Sequence, residues 1–360
     1  MMKVRSSGRL VNLCRTAGLL TAACLIAAGS GRAQSSKFNQ PGNILITDQF
    51  NNRVIEIDPL GNIVWQFGLG PGNTTPSSMI GTNDAERVGN LTLMAGTGIP
   101  AGVVTHCKKG CADNRVLLVD PRGNIVWQYG QFGVTGSGPN QLSTPVQNTY
   151  LPEANGDDHV LITDQGNGRI IEVRRSDKTI VWEYDGLNNP NSAELLTNGD
   201  ILIADENNNQ ALEVTHKMPS AIVNMYTTAG GMGFSGVAFA SRLPNGHTLI
   251  TDSNNSRIVE TDETGADFWH FFTNNPILRV GSNSAPLPTR AVQLVNGNIL
   301  ISDQFNHQVI EVTKTTPAAI VASYGTINDP GFSPGTALTK MNGPYSAYVI
   351  GDYTGMTPPF

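Results

Sequence analysis

Residues 42–68 read GNILITDQFNNRVIEIDPLGNIVWQFG, and the same sentence returns four more times along the chain. It recurs as DHVLITDQGNGRIIEVRRSDKTIVWEYD from Asp158, GDILIADENNNQALEVTHKMPSAIVNMYT from Gly199, GHTLITDSNNSRIVETDETGADFWHFFT from Gly246 and GNILISDQFNHQVIEVTKTTPAAIVASYG from Gly297. A sixth copy is split, with LTLMAGTG at Leu91–Gly98 separated from NRVLLVDPRGNIVWQYG at Asn114–Gly130. Self-similarity at a regular spacing marks a repeat architecture, in which one unit cannot bury its own faces and stacks on its neighbours.

Each copy divides into three runs of β-formers, such as Ile44-Leu-Ile, Val54-Ile-Glu-Ile and Ile63-Val-Trp-Gln-Phe, parted by turn-forming residues. Between copies a fourth run is introduced by proline at Pro76, Pro145, Pro190, Pro288 and Pro344. Four strands per unit is the blade of a propeller. The first copy lacks its opening run, while Gly343-Pro-Tyr-Ser-Ala-Tyr-Val-Ile-Gly351 supplies one with no copy after it. The two ends together complete a blade, so the chain is expected to be an all-β, six-bladed β-propeller over 34–360, closed by pairing of its N- and C-terminal strands.

The pattern I-L-I-x-D-x-x-N-x-R-V-I-E-V resembles the NHL repeat, and the resemblance covers almost the whole chain after the first thirty residues. The endings I-V-W-Q-Y-G are similar to those of bacterial arylsulfotransferase-like and lyase-type propellers. Those relatives imply either a divalent metal held by histidines in the central channel or a histidine nucleophile. The six histidines fit neither pattern. His159 and His247 precede second strands on the face opposite the usual site, His106 and His307 fall in loops, and His216 and His270 are placed in outer strands.

The leading segment reads as an export signal. Lys3, Arg5, Arg9 and Arg15 form a basic region, Ala17–Ala28 an apolar core, and Gly31 and Ala33 the small residues before a cleavage point, so 1–33 is assigned to a signal peptide. That core is shorter than the roughly 20 residues needed to span a bilayer, and no later run approaches it. Cys14 and Cys24 would leave with the signal. Cys107 and Cys111 remain, and in a periplasmic or secreted protein the pair is expected to form a disulfide. A chain with 14% charged residues and a net charge of −6 has no electrostatic footprint for nucleic acid.

Asp48, Asp164, Asp205, Asp252 and Asp303 each end a second strand and are followed by Asn51, Asn167, Asn208, Asn255 and Asn306. This is the chemistry of side chains stabilising a tight turn, and symmetry puts the aspartates on separate blades, too far apart for one ion. Trp65, Trp127, Trp182 and Trp269 share one fourth-strand position and are expected to pack between blades. Arg53, Arg115, Arg169 and Arg257 also recur, as structural hydrogen-bond donors.

Function is sought where the loops have grown, at 68–76, 130–145, 227–235 and 273–288, all on one face together with the insertion that carries Cys107 and Cys111. The expected entrance positions of the first strands are Ser78, Gln147, Ser192, Ser235, Arg290 and Ser346. Candidate ligand-binding residues are Gln147, Asn148, Glu194, Arg290 and Tyr345. Arg290 is the only cation of this set and could hold a carboxylate or sulfate, or bond neighbouring carbonyls. The leading expectation is an exported propeller that binds a small molecule or protein at the channel mouth without catalysis. The alternatives are an exported lyase, hydrolase or sulfotransferase with a channel metal or an Arg290/Glu194 site, and a structural envelope protein.

Overall fold

In a run such as Ile44-Leu45-Ile46 successive side chains leave a strand on opposite faces, so a continuous aliphatic run requires cover on both. The computed structural model describes residues 37–352 and supplies that cover on both sides of every blade. Leu45 packs into an apolar cluster with Met94, Leu117 and Val119 of the following blade, whereas Ile44 and Ile46 join Leu300 and Val309 of the preceding one. Six such clusters fill the six seams of the ring. The export segment expected over 1–33 lies outside the described residues.

Blade one consists of Pro344–Val349, Ile44–Asp48, Arg53–Ile57 and Ile63–Phe67. Blade two consists of Thr82–Val88, Leu91–Ile99, Cys111–Val119 and Ile125–Gly130. Blade three follows with Pro145–Leu151, His159–Asp164, Arg169–Arg174 and Ile180–Tyr184. Blade four has Pro190–Leu195, Ile201–Asp205, Gln210–Val214 and Ile222–Tyr226. Blade five is Val237–Arg242, Thr248–Asp252, Arg257–Thr261 and Asp267–Phe272, and blade six is Pro288–Gln293, Ile299–Asp303, Gln308–Val312 and Ile320–Gly325. The ring closes through blade one, where Ile44, Leu45 and Ile46 pair antiparallel with Val349, Tyr348 and Ala347.

Two first strands sit elsewhere than the sequence leads one to expect. Blade two begins at Thr82 and not at Pro76, and blade five begins at Val237. Ser78 and Ser235 therefore do not face the channel. Ser78 lies in the loop before blade two, where its carbonyl accepts from Arg115, and Ser235 caps Asp252 through its backbone N–H. The entrance positions they were assigned belong to Asp84 and Phe239, which pair with Ala95 and Thr251 as Arg290 pairs with Ser302. His216 also departs from expectation, lying just beyond the third strand of blade four and not in an outer strand.

The recurrent aspartates are turn residues. Asp164 Oδ2 accepts from Asn167 Nδ2 at 2.7 Å and from Arg169 Nε at 2.8 Å, while Oδ1 accepts the N–H of Ser143 at the entry to the first strand. Asp48 and Asp252 repeat this with Arg53 and Arg257. The split copy keeps the device by another route. Gly96 stands where the others have aspartate, and Asp113, from the insertion, fills the space, bonding Arg115 at 2.6 Å and the N–H of Ile80 at 2.7 Å. A Cβ on Gly96 would lie 2.6 Å from the Asp113 carboxyl carbon, so the glycine and the relocated acid imply each other. Phe132, Phe234 and Phe332 from the long loops cap Arg115, Arg257 and Arg53 at 4.7, 5.8 and 4.5 Å.

The tryptophans sew neighbouring blades. The indole N–H of Trp65 donates to the Pro121 carbonyl, Trp127 to Arg175, Trp182 to Lys217 and Trp269 to Thr315, at 3.0–3.3 Å, each acceptor lying on the next blade. A buried indole needs a partner for its N–H, and this one is available only once two blades are in register.

Candidate functional site

The first strands of all six blades meet around the axis, and their upper residues form a closed layer in which Asp84, Gln147, Phe239, Arg290 and Ser346 touch a common small space. Arg290 is buried here and forms an ion pair with Asp84 of blade two, its guanidinium stacked on Phe239 at 4.5 Å. The carboxylate that Arg290 holds is thus the chain's own. Below this layer Gln147, Asn148, Glu194, Glu86 and Arg290 line a second small space. The buried amide of Asn148 finds no hydrogen-bond partner among the described residues.

Burial raises the carboxyl of Glu194 to about 8, against the lowering effect of the Arg242 N–H at 3.1 Å, Ser241 and the charges of Arg290 and Arg242. Burial and the neighbouring Asp84 likewise push Glu86 well up. An unfolded glutamate releases its proton near 4.5 whereas folded Glu194 keeps it to about 8. Across that window the native state binds more protons, so native stability falls as pH rises. Urea unfolding between about pH 5 and 8 is expected to show Glu194→Gln flattening this decline by up to ~1.4 kcal/mol per pH unit. An unchanged slope would place the proton elsewhere.

Above the closed layer the mouth opens into a cavity of about 610 Å³. Asn83 and Tyr345 contribute from the channel, while Gln49, Gln165 and Glu206 come from the short 3-10 turns that follow second strands. One wall is the blade-two insertion, from Thr97 to Pro100 and Lys109 to Ala112. Cys107 and Cys111 form a disulfide within it, and Cys107 is buried against Phe50, Ile80 and Ile99. Glu206 is fixed by the side-chain amides of Asn189 at 2.8 Å and Asn191 at 2.9 Å, and Tyr345 donates its hydroxyl to Asn191 Oδ1 at 2.8 Å. Burial raises the Glu206 pKa.

Of the five expected ligand residues, the cavity therefore takes Tyr345 directly. Gln147 and Arg290 lie in the layer beneath it, and Asn148 and Glu194 line the deeper space. Sequence reasoning missed Asp84, hidden by the misplaced first strand, and Glu206. Glu206 did leave a signal, because the residue after the turn aspartate is Gln49, Gln165, Ser253 or Gln304 in the other regular copies and an acid only here.

The channel acids do not assemble a metal set. Asp84 is taken by Arg290, and the one group of three or more His, Cys or carboxylate donors close enough for one ion, among the described residues, lies on the opposite face. His307 is also committed. Its Nδ1 accepts the Gly343 N–H at 3.1 Å, and burial lowers its pKa.

No protein-family model matches the chain, and neither does any curated protein sequence. Solved structures do. A putative 6-phosphogluconolactonase from Bacteroides uniformis superposes with a TM-score of 0.52 at 11% identity, over 86% of this chain and 99% of that one. Virginiamycin B lyase from Staphylococcus aureus gives 0.47 at 15% identity over 81% and 86%. A functionally unknown protein from Desulfotomaculum acetoxidans gives 0.46 at 13% over 83% and 84%. At these identities the likeness is one of fold, and the chain is a six-bladed β-propeller whose structural neighbours include lyase-type propellers.

Proposed function

We propose that this chain is an exported propeller that binds a small polar molecule in the cavity at the channel mouth, without turning it over. The observation that carries this reading is the 610 Å³ cavity itself, set on the long-loop face and walled by a disulfide-bonded insertion that no other blade possesses. Concave sites of this size, with a few fixed polar groups, are where small ligands are held. The fixed acceptor Glu206 favours a ligand bearing an ammonium or other strong donor. Glu206 is the one carboxylate among the described residues lining the cavity, held in place by Asn189 and Asn191, while Lys109 stands at the rim. Because Arg290 is already paired with Asp84, it offers little to an anion.

The test is a thermal-shift panel of ammonium compounds, carboxylates and neutral sugars. Ammonium compounds are expected to raise the melting temperature, and Glu206→Gln to weaken their binding at least tenfold, as for a charge-assisted contact worth about 1.5–3 kcal/mol. Stabilisation by carboxylates alone, or unchanged binding in Glu206→Gln, would overturn the reading. One observation favours catalysis instead: Glu194 holds a proton to about 8 and shares its space with Arg290, a pairing suited to a general acid. Conversion of a stabilising compound that ceases in Glu194→Gln would establish that alternative.

A further inference from the structure

On the face opposite the cavity, a glutamate recurs in third strands and is clamped by the next blade. Glu56 meets Arg87 of blade two, Glu213 meets Arg242 of blade five at 2.7 Å, and Glu260 meets Lys314 of blade six. Each clamp uses a permanently charged base. An own-blade imidazole on this glutamate also occurs in blade five, where His247 Nδ1 lies 2.8 Å from Glu260, but blade three departs from the rule because the next-blade partner of Glu172 is an imidazole too. His159 Nδ1 of its own blade lies 2.5 Å from Oε1, and His216 Nε2 of blade four lies 2.5 Å from Oε2. A further acid reaches in from the turn after the first strand, placing Glu153 Oε1 3.7 Å from His159 Nδ1. The ligand atoms of Glu153, His159 and Glu172 all lie within 4.8 Å of one another.

The exchange gives up the fixed cation of lysine or arginine and brings in ring nitrogens able to ligate a metal. For a metal ion it is a favourable one. Neutral imidazole and carboxylate are zinc ligands at about 2.0–2.2 Å, and three protein donors with one position left for water are a recurrent open zinc arrangement. Arg174, whose strand position faces His159, turns its guanidinium away to Asp177 at 3.1 Å and Asp157 at 3.6 Å, so no cation is held against the cluster by it. His216 is itself aligned by an edge-to-face contact with Trp182, ring centroids 4.8 Å apart. We propose that Glu153, His159 and Glu172 bind a divalent ion of the zinc class. His216 is a positioning residue there, donating Nε2–H to the second oxygen of Glu172, as outer-shell partners of metal ligands do. Calcium, which takes oxygen donors at longer distances, is not suited to the imidazole.

The experiment is calorimetric titration of Zn²⁺ alone into chelator-treated, tag-free full-length protein. One equivalent is expected to bind, and Ca²⁺ is not. Glu153→Gln is expected to weaken zinc at least tenfold while leaving the metal-free melting temperature unchanged, because this side chain is 44% exposed. His159→Gln weakens it as much or more, and His270→Gln, at a histidine paired to Asp267 on an outer strand, leaves it unchanged. His216→Asn keeps the stoichiometry and loses about tenfold to a hundredfold in affinity. No zinc uptake at tenfold excess over protein, or uptake unaltered by both Glu153→Gln and His159→Gln, would overturn the assignment.

Discussion

A chain ended at Lys340 is expected to lose the monomeric propeller altogether. The truncation removes the first strand of blade one and with it Met341, Ala347, Tyr348 and Ile350, all buried at the two seams flanking that blade. Each large buried side chain contributes roughly 1.5–3 kcal/mol, and a whole domain is stable by only about 5–15 kcal/mol, so the loss is comparable with the total. Ile44–Asp48 would become an open sheet edge, a template for pairing with other chains. Size-exclusion chromatography with light scattering is expected to find aggregates, and a peptide of residues 341–352 added during refolding to reduce them by restoring the strand. A truncated chain that stayed monomeric with an unaltered melting temperature would show that closure does not depend on the C-terminal strand.

Arg290→Ala is expected to destabilise the protein by about 3–5 kcal/mol, the usual consequence of removing one partner from a buried ion pair and leaving the other charge uncompensated. Asp84 would then lie at 4% side-chain exposure without its guanidinium, and Phe239 would lose the group stacked on it. The double variant Arg290→Met with Asp84→Asn is expected to recover most of the loss, since it removes both charges at similar volume. Denaturant unfolding of the two variants and the parent decides the matter. Equal instability of the single and double variants would mean that the stacking of Arg290, and not its charge, holds the layer. A stable Arg290→Ala that no longer bound carboxylates would return Arg290 to the role of an open anion site.

That second prediction differs from what the sequence suggests, and the reason is specific. With the first strand of blade two placed by proline spacing at Pro76, the entrance residue of that blade is Ser78, and Arg290 stands alone among small polar side chains. In the structure the strand starts at Thr82, and the residue facing Arg290 is Asp84. The two are separated by 206 positions in the chain. No local pattern signals such a contact. Asp113 is a similar case, because a turn acid supplied by an inserted segment has no fixed spacing from the strand it serves.

What the amino-acid sequence determined by itself is whatever repeats with the blade. Strand number, six blades, closure by the two ends, the Asp–Asn–Arg turns and the inter-blade tryptophans all follow from local periodicity, because every blade solves the same burial problem with the same residues. What only the tertiary structure decided is where the copies stop being alike: the Arg290–Asp84 layer, the cavity floored by Tyr345 and edged by Glu206, and the meeting of His159, Glu172 and His216. These contacts join first strands or seams of different blades. They depend on how the ring brings distant side chains to one axis or one seam, and a repeat pattern can show where a copy departs from it but not which departures will meet.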